Sequence, residues 1–248
     1  PYPYLLPDAI HPNPEGAGII AKTVYSGITG DYGGLQMSQL YTDYMVLQRD
    51  MPLDIHGIAN AGEKITVSIG NQKTTTTANN QGKWSVVLKP MNAATDLTLT
   101  VKAGSATKIY KRVAVGEVWL CSGQSNMAFM LCQADTYKRD IDNVGDPQLR
   151  LFDMKARWET YNVAWPASCL DSLNHLQYYR SATWQPTTPD NAKWFSAIAY
   201  YYGRMLRDSL NVPVGLICNA VGGSPTEAWV DRNTLETRFP AILKNWLH

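Results

Sequence analysis

The sequence predicts a mixed α/β chain: an antiparallel β-sandwich followed by a doubly wound parallel sheet with helices, the sheet cut short. Three observations carry this. Residues 34–115 read as β throughout, in short runs rich in Val, Ile and Thr separated by turn residues. From residue 113 onward, apolar strand-like runs alternate with a helical pattern. That second part offers only about three strands before the last residue, roughly half of an open sheet.

Residues 1–31 are rich in Pro and Gly around one helical stretch. After the turn in HPNPEG, Ile19, Ile20, Val24 and Ile28 recur at roughly helical spacing, with Gly27 and Gly30 as stop signals. The β region follows as YMVLQRDMPLDIHGIA, EKITVSIGNQKTTTTA, GKWSVVLKP, DLTLTVKAG and KIYKRVAVGEVWL. Its turns fall at Asn60-Ala61-Gly62, Gly70-Asn71, Asn79-Asn80-Gln81-Gly82 and Gly104-Ser105, a spacing that suits a small sandwich. The run Thr74 to Thr77 reads as an exposed strand.

In the α/β part, Val113 to Leu120 is a continuous apolar run broken only by Gly116-Glu117, as expected of a strand buried on both faces. QLRLFDM is a second strand. NAKWFSAIAYYYGRMLRDSL has helical periodicity, with Trp194, Ile198, Tyr201, Tyr202 and Leu206 on one stripe. NVPVGLICNAVGG is a third strand ending at Gly222-Gly223. Alternation of this kind implies parallel strands and right-handed crossovers. Ligands gather at the carboxyl ends of such strands, and both Ser125 and Gly222 follow strands directly.

Composition narrows the function classes. The chain has 248 residues and a net charge of +1, which makes no electrostatic case for nucleic acid or an acidic partner. No stretch approaches the ~18 apolar residues of a membrane helix. The 8 Trp and 14 Tyr fill cores, and they also form flat, wettable walls that suit sugars. Cys121, Cys132, Cys169 and Cys218 match no metal spacing, and Cys121 and Cys218 sit in apolar runs as buried thiols. Neither metal nor cofactor is expected.

The segment GEVWLCSGQSNM leaves an apolar strand and at once places Ser122, Gln124, Ser125 and Asn126. A serine hydroxyl needs a base to become a nucleophile, and acyl transfer needs amide donors aimed at the developing oxyanion. A serine at a strand-to-helix turn offers its own N–H. A glycine at a neighbouring strand end offers a second, because it lets the backbone approach closely.

GEVWLCSGQSNM followed by GGSPTEAW resembles the sialate O-acetylesterase family, within the SGNH (GDSL-like) hydrolases. The segments LYTDYMVLQRDMPLDIHGIANAGEKITVSI and GKWSVVLKPM are similar to the β-domain that precedes the catalytic domain there. The likeness covers residues 35–248. It implies that Ser125 is the nucleophile and that its N–H, with that of Gly222 or Gly223, forms the oxyanion hole. It puts Gln124, Asn126, Glu227 and Trp229 on the same rim as candidate substrate-binding residues, with Gln124 and Asn126 also fixing the turn. The implied substrate is an acetylated carbohydrate, and the implied location is secreted or periplasmic.

The base departs from the family pattern. A further Gln-Gly-Glu segment and a late Asp-x-x-His pair are expected after the Gly-Gly motif, and residues 230–248 contain neither. His248 has no acid three places before it, His175 lacks motif context, and His56 sits in a β run. Asp8 and His11, in PDAIHPNPEGAGIIA, resemble the last motif of the GDSL-like hydrolases, in which the acid orients the imidazole and the imidazole takes the serine proton. Two arrangements fit. Residues 1–31 are the C-terminal tail of an upstream GDSL-like esterase module, or His11 returns to Ser125 across the β-domain. The first is the expectation here: that tail, then a β-sandwich over 34–112, then the N-terminal part of an SGNH-type esterase domain over 113–248. The expected function is serine-dependent removal of acetyl groups from sialic acid or other acetylated sugars. The alternative is a carbohydrate-binding or scaffolding module.

Overall fold

A computed structural model describes residues 4–6, 10–140, 143–157, 169, 172 and 177–246. The first long element is the helix α1 (Pro14–Thr29). It starts where Asn13 Oδ1 accepts the Gly16 N–H at 2.8 Å, with Pro14 in the first turn, and it stops at Gly30, whose φ of 72° no β-carbon favours. Gly27, expected as a stop, lies inside it. Its apolar residues Ile19, Ile20, Val24 and Ile28 are exposed among the described residues.

Two sheets then face each other. One is antiparallel, ordered β1 (Gln36–Met37), β3 (Leu53–Ile58), β6 (Lys83–Leu88). The other begins with β5 (Gln72–Thr77), β4 (Lys64–Ile69), β7 (Ala94–Ala103) and β8 (Ala106–Gly123), also antiparallel, with the short β2 (Val46–Gln48) parallel to β8. The period of two is plain in β6, where Trp84, Val86 and Leu88 are buried and Lys83, Ser85 and Val87 are exposed. With Ile55, Ile65, Val67, Leu99 and Val101 they form the first core. Thr74 to Thr77 lie on the edge strand β5, alternately half-buried and exposed.

Strand β8 does not end with the antiparallel part. From Glu117 to Gly123 it pairs in parallel with β11 (Val214–Ala220), which pairs in parallel with β9 (Asp146–Asp153); β10 (Gln185–Thr187) closes the sheet antiparallel to β9. The boundary expected at 112/113 therefore falls within one strand. Arg112 marks it with a φ of 54°. Arg150, 4% exposed, bridges the seam by donating to the carbonyls of Tyr44 and Arg112.

Further helices among the described residues are α2 (Ser125–Ala128), α3 (Tyr137–Asp140), α4 (Pro189–Ala192), α5 (Ala197–Leu210), α6 (Arg232–Arg238) and α7 (Pro240–Trp246). α5 is capped by Ser196, whose Oγ accepts the Ala199 N–H, and covers one face of the parallel strands. Of the expected stripe, Tyr201 and Leu206 pack partly buried against the second core, whereas Trp194 precedes α5 and Trp194 and Ile198 are half exposed. The buried face is Ala197, Ala199, Tyr200 and Gly203. Small residues win because α5 lies so close to the sheet that a β-carbon on Gly203 would meet Leu216 Cδ1 at 2.6 Å. On the opposite face Phe152, Val118 and Ile217 pack with Trp184 into the first core, which fills a place expected to hold helices. Beyond Gly116, Trp119 and Leu120 are 41% and 65% exposed, because the described residues cover β8 there mainly from the β11 side.

Candidate active site

β8 delivers Ser125. At Gly123 the backbone takes a φ of 154°, and Gln124 caps the single turn α2 without a side-chain hydrogen bond. Met127 explains the residue that ends GQSNM. Its side chain packs on the second core beside Leu131 and Ala199, and its Sδ accepts the Ser196 hydroxyl at 3.4 Å. The next turn is pinned as well, with the Phe129 carbonyl accepting the Ala197 N–H at 2.8 Å. The serine is thus held between β8 and α5.

β11 delivers the glycines. In parallel register Cys218 lies beside Cys121 and Ala220 beside Gly123, and the Val221 N–H donates to the Gly123 carbonyl at 3.0 Å. This carries Gly222 up to the serine: a β-carbon on Gly222 would lie 3.8 Å from Ser125 Oγ. Ser125 is exposed.

Beside them opens a cleft of about 310 Å³. Met127, Met130, Trp194, Ser196, Val221 and Gly222 form one part of its wall, and the end of β9 and its sequel form the other, with Asp153, Lys155, Arg157 and Arg180. Burial pushes the Asp153 carboxyl above its usual range, opposed by Lys155 Nζ 3.0 Å away. Lys155 also donates to the Trp194 carbonyl at 2.7 Å. Cys218, on the cleft wall, is held as a thiol: burial, then the neighbouring Asp153 charge, push it up to about 12.

A second depression, of about 360 Å³, lies across Gly222-Gly223 and shares Val221 with the first. Tyr178, Tyr179, Gly223, Ser224, Pro225 and Trp229 line it.

The expected site residues fall into three groups. Ser125, Gly222 and Gly223 come together, and Trp229 borders the second depression. Gln124 and Asn126 are exposed on either side of the serine, and Glu227 sits half-buried in the 3₁₀ turn Thr226–Trp229; none of these three lines either depression. Asp8, His175 and His248 lie outside the described residues. His11 is exposed in the turn before α1. α1 is tied down at its far end, where the Gly30 carbonyl accepts the Ala61 N–H at 2.8 Å, near the β7–β8 turn at Gly104. That is the opposite end of β8 from Ser125. The strand path between is roughly 55 Å, at about 3.3 Å per residue, and α1 itself spans about 24 Å. His56, on β3, faces Asp54 at 3.6 Å.

Sequence reasoning missed Asp153, Lys155, Arg157, Arg180, Tyr178 and Tyr179. A signal existed for the first three, since they end or directly follow the strand QLRLFDM and so fall on the carboxyl rim. The tyrosines carry none. They arrive beside the cleft through an isolated antiparallel bridge of Tyr179 to Ala156.

Comparison with known proteins points to one class, carboxylic ester hydrolases that act on carbohydrates. Residues 115–246, more than half of the chain, match the family model "Carbohydrate esterase, sialic acid-specific acetylesterase". The chain belongs to this sialic acid-specific acetylesterase family of carbohydrate esterases. The sialate O-acetylesterase of Rattus norvegicus is 26% identical, with 90% of this chain and 43% of the relative covered. That of Homo sapiens is 27% identical, with 82% and 40% covered. Among solved structures, XAC1771, a novel carbohydrate acetylesterase from Xanthomonas citri, superposes with a TM-score of 0.70 at 31% identity, covering 82% of this chain and 44% of that one. The chain spans less than half the length of each of these relatives.

Proposed function

We propose that this chain carries the acyl-transfer centre of a serine-dependent carbohydrate O-acetylesterase. The observation that carries the reading is Ser125 Oγ beside Gly222, where two neighbouring parallel strands end next to a cleft. In this reading Ser125 Oγ attacks the acetyl carbonyl carbon. The carbonyl oxygen becomes an oxyanion that the N–H groups of Ser125 and of Gly222 or Gly223 stabilise. The C–O bond to the sugar then breaks, the sugar leaves as its alcohol, and water hydrolyses the acetyl-serine to acetate. A base must take the serine proton. The family supplies the expectation that the base is a histidine.

The cleft also favours an acidic sugar. Lys155, Arg157 and Arg180 bring three cations to one carboxylate, Asp153, and that carboxylate is already paired with Lys155. A substrate carboxylate, as in sialic acid, would meet the two guanidinium groups. The test is Ser125→Ala in the full chain, assayed on 4-nitrophenyl acetate and on an O-acetylated sialic acid. The expected loss in kcat is a thousandfold or more on both. Undiminished hydrolysis of both esters would remove Ser125 as the nucleophile.

A further inference from the structure

The second depression is built like a platform for a ring. The Trp229 side chain is partly exposed, and its indole N–H donates to Ser224 Oγ at 3.0 Å, while that hydroxyl donates to the Val221 carbonyl at 2.8 Å. The Tyr179 hydroxyl donates to Asn219 Oδ1 at 2.7 Å, and Tyr178 packs edge-on against the Tyr179 ring at 4.9 Å between centroids. Tyr179 and Trp229 thus have their polar ends tethered within the protein. What the wall offers a ligand is aromatic carbon, held without rotamer freedom to lose. Such a wall suits the apolar face of a pyranose ring. It does not suit an acyl chain, which needs a deeper and closed apolar channel.

Its position says which ring. Val221 belongs to both depressions, Gly222 lines the cleft beside Ser125, and Gly223 lines the aromatic side. A sugar whose acetyl group reaches Ser125 therefore has its glycosidic neighbour next to the Val221–Gly223 turn, on whose other side the Trp229 depression opens. Building on the reading of Ser125 above, we propose that the Tyr178–Tyr179–Trp229 depression is a second subsite, which takes the pyranose adjoining the acetylated one. The preferred substrate is then an acetylated sugar still joined to a glycan.

The full chain and its Trp229→Ala, Trp229→Phe and Ser224→Ala variants would be compared on three substrates: an O-acetylated sialic acid linked to lactose, the same acetylated sugar free, and 4-nitrophenyl acetate. The wild type should favour the linked sugar over the free one by about tenfold in kcat/KM. Trp229→Ala should erase that preference, lowering kcat/KM on the linked sugar far more than on the other two substrates. Trp229→Phe should keep most of it, because Phe loses the bond to Ser224 but retains a ring face. Ser224→Ala, which frees the indole, should weaken it partially. Equal losses on all three substrates, equal damage from Phe and Ala, or no wild-type preference for the linked sugar would each overturn the subsite. Calorimetric titration with plain sialyl-lactose separates the two readings. If no ester is hydrolysed yet the glycan binds the wild type and not Trp229→Ala, the subsite stands and the role of Ser125 falls. If the glycan does not bind the wild type, the subsite falls.

Discussion

Gly222→Ala isolates the chemistry of the site from its stability. The added β-carbon would lie 3.8 Å from Ser125 Oγ, an ordinary van der Waals separation, and no other heavy atom comes that close to it. The backbone there is outside the left-handed region, so alanine adds no strain. Loss of unfolded-state freedom should even stabilise the protein by about 0.4–1 kcal/mol. Catalysis meets the same methyl differently. The acetyl carbon must come to roughly 3–3.5 Å of Oγ, with its oxygen about 2.7–3.1 Å from the amide donors, and the methyl occupies that approach. Loss of one oxyanion contact costs about 10²–10³ in kcat. The expected result is a hundredfold or greater fall in kcat/KM on 4-nitrophenyl acetate, with a urea midpoint equal to or slightly above that of the wild type. Gly223→Ala supplies the contrast. Its φ is 77°, so alanine should cost about 1–2 kcal/mol and lower the midpoint. Full activity in Gly222→Ala would refute the placement of the oxyanion beside this glycine. A matched fall in midpoint and activity would show that the loop had moved.

Three further outcomes follow from the packing. Gly116→Ala sets a β-carbon 2.0 Å from the Pro213 carbonyl oxygen, backbone against backbone, and should destabilise the fold by about 3 kcal/mol, whereas Gly27→Ala in α1, with nothing within 4 Å, should gain about 0.5–1 kcal/mol; urea midpoints of the two variants should move in opposite directions. Cys218, with its pKa pushed up to about 12, should be about one part in ten thousand thiolate at pH 8 and resist alkylation until the chain unfolds, behind the partly exposed Cys132; mass spectrometry of the peptides reads the order. Asp153, whose carboxyl is raised by burial, binds its proton more tightly in the folded state, so stability from this group is full below the usual carboxylate range and declines as pH rises through its folded pKa. Asp153→Asn should therefore gain on the wild type between pH 4 and pH 7, and an equal urea-midpoint difference at both pH values would exclude that linkage.

The strands β8 and β11 that frame the site were legible because each is a run of apolar residues that ends abruptly in a turn rich in Gly, Ser or Asn. Their meeting was legible too, since two parallel strands of one sheet bring Ser125 and Gly222 to the same rim. The cleft's far wall was not. Arg180, Tyr178 and Tyr179 follow a stretch with no period of 2 or 3.6, and only tertiary pairing to Ala156 places them. The buried face of α5 was misread for a related reason. Hydrophobicity ranks Trp194 and Ile198 above Ala199 and Gly203, but the space between α5 and β11 admits only small groups. Of the Asp8–His11 pair, Asp8 lies outside the described residues, and His11 sits in the turn before α1, whose far end is anchored at Ala61.

Strand β8 also bears on melting. It runs from the turn at Ala106 to the serine turn at Gly123, passing from β7 to β11 across an irregular register near Arg112, and Phe152, Val118 and Ile217 of the site's sheet lie in the first core. A cut at residue 113 would leave two torn edges and an opened core. Heat should take the two parts apart in a single calorimetric transition.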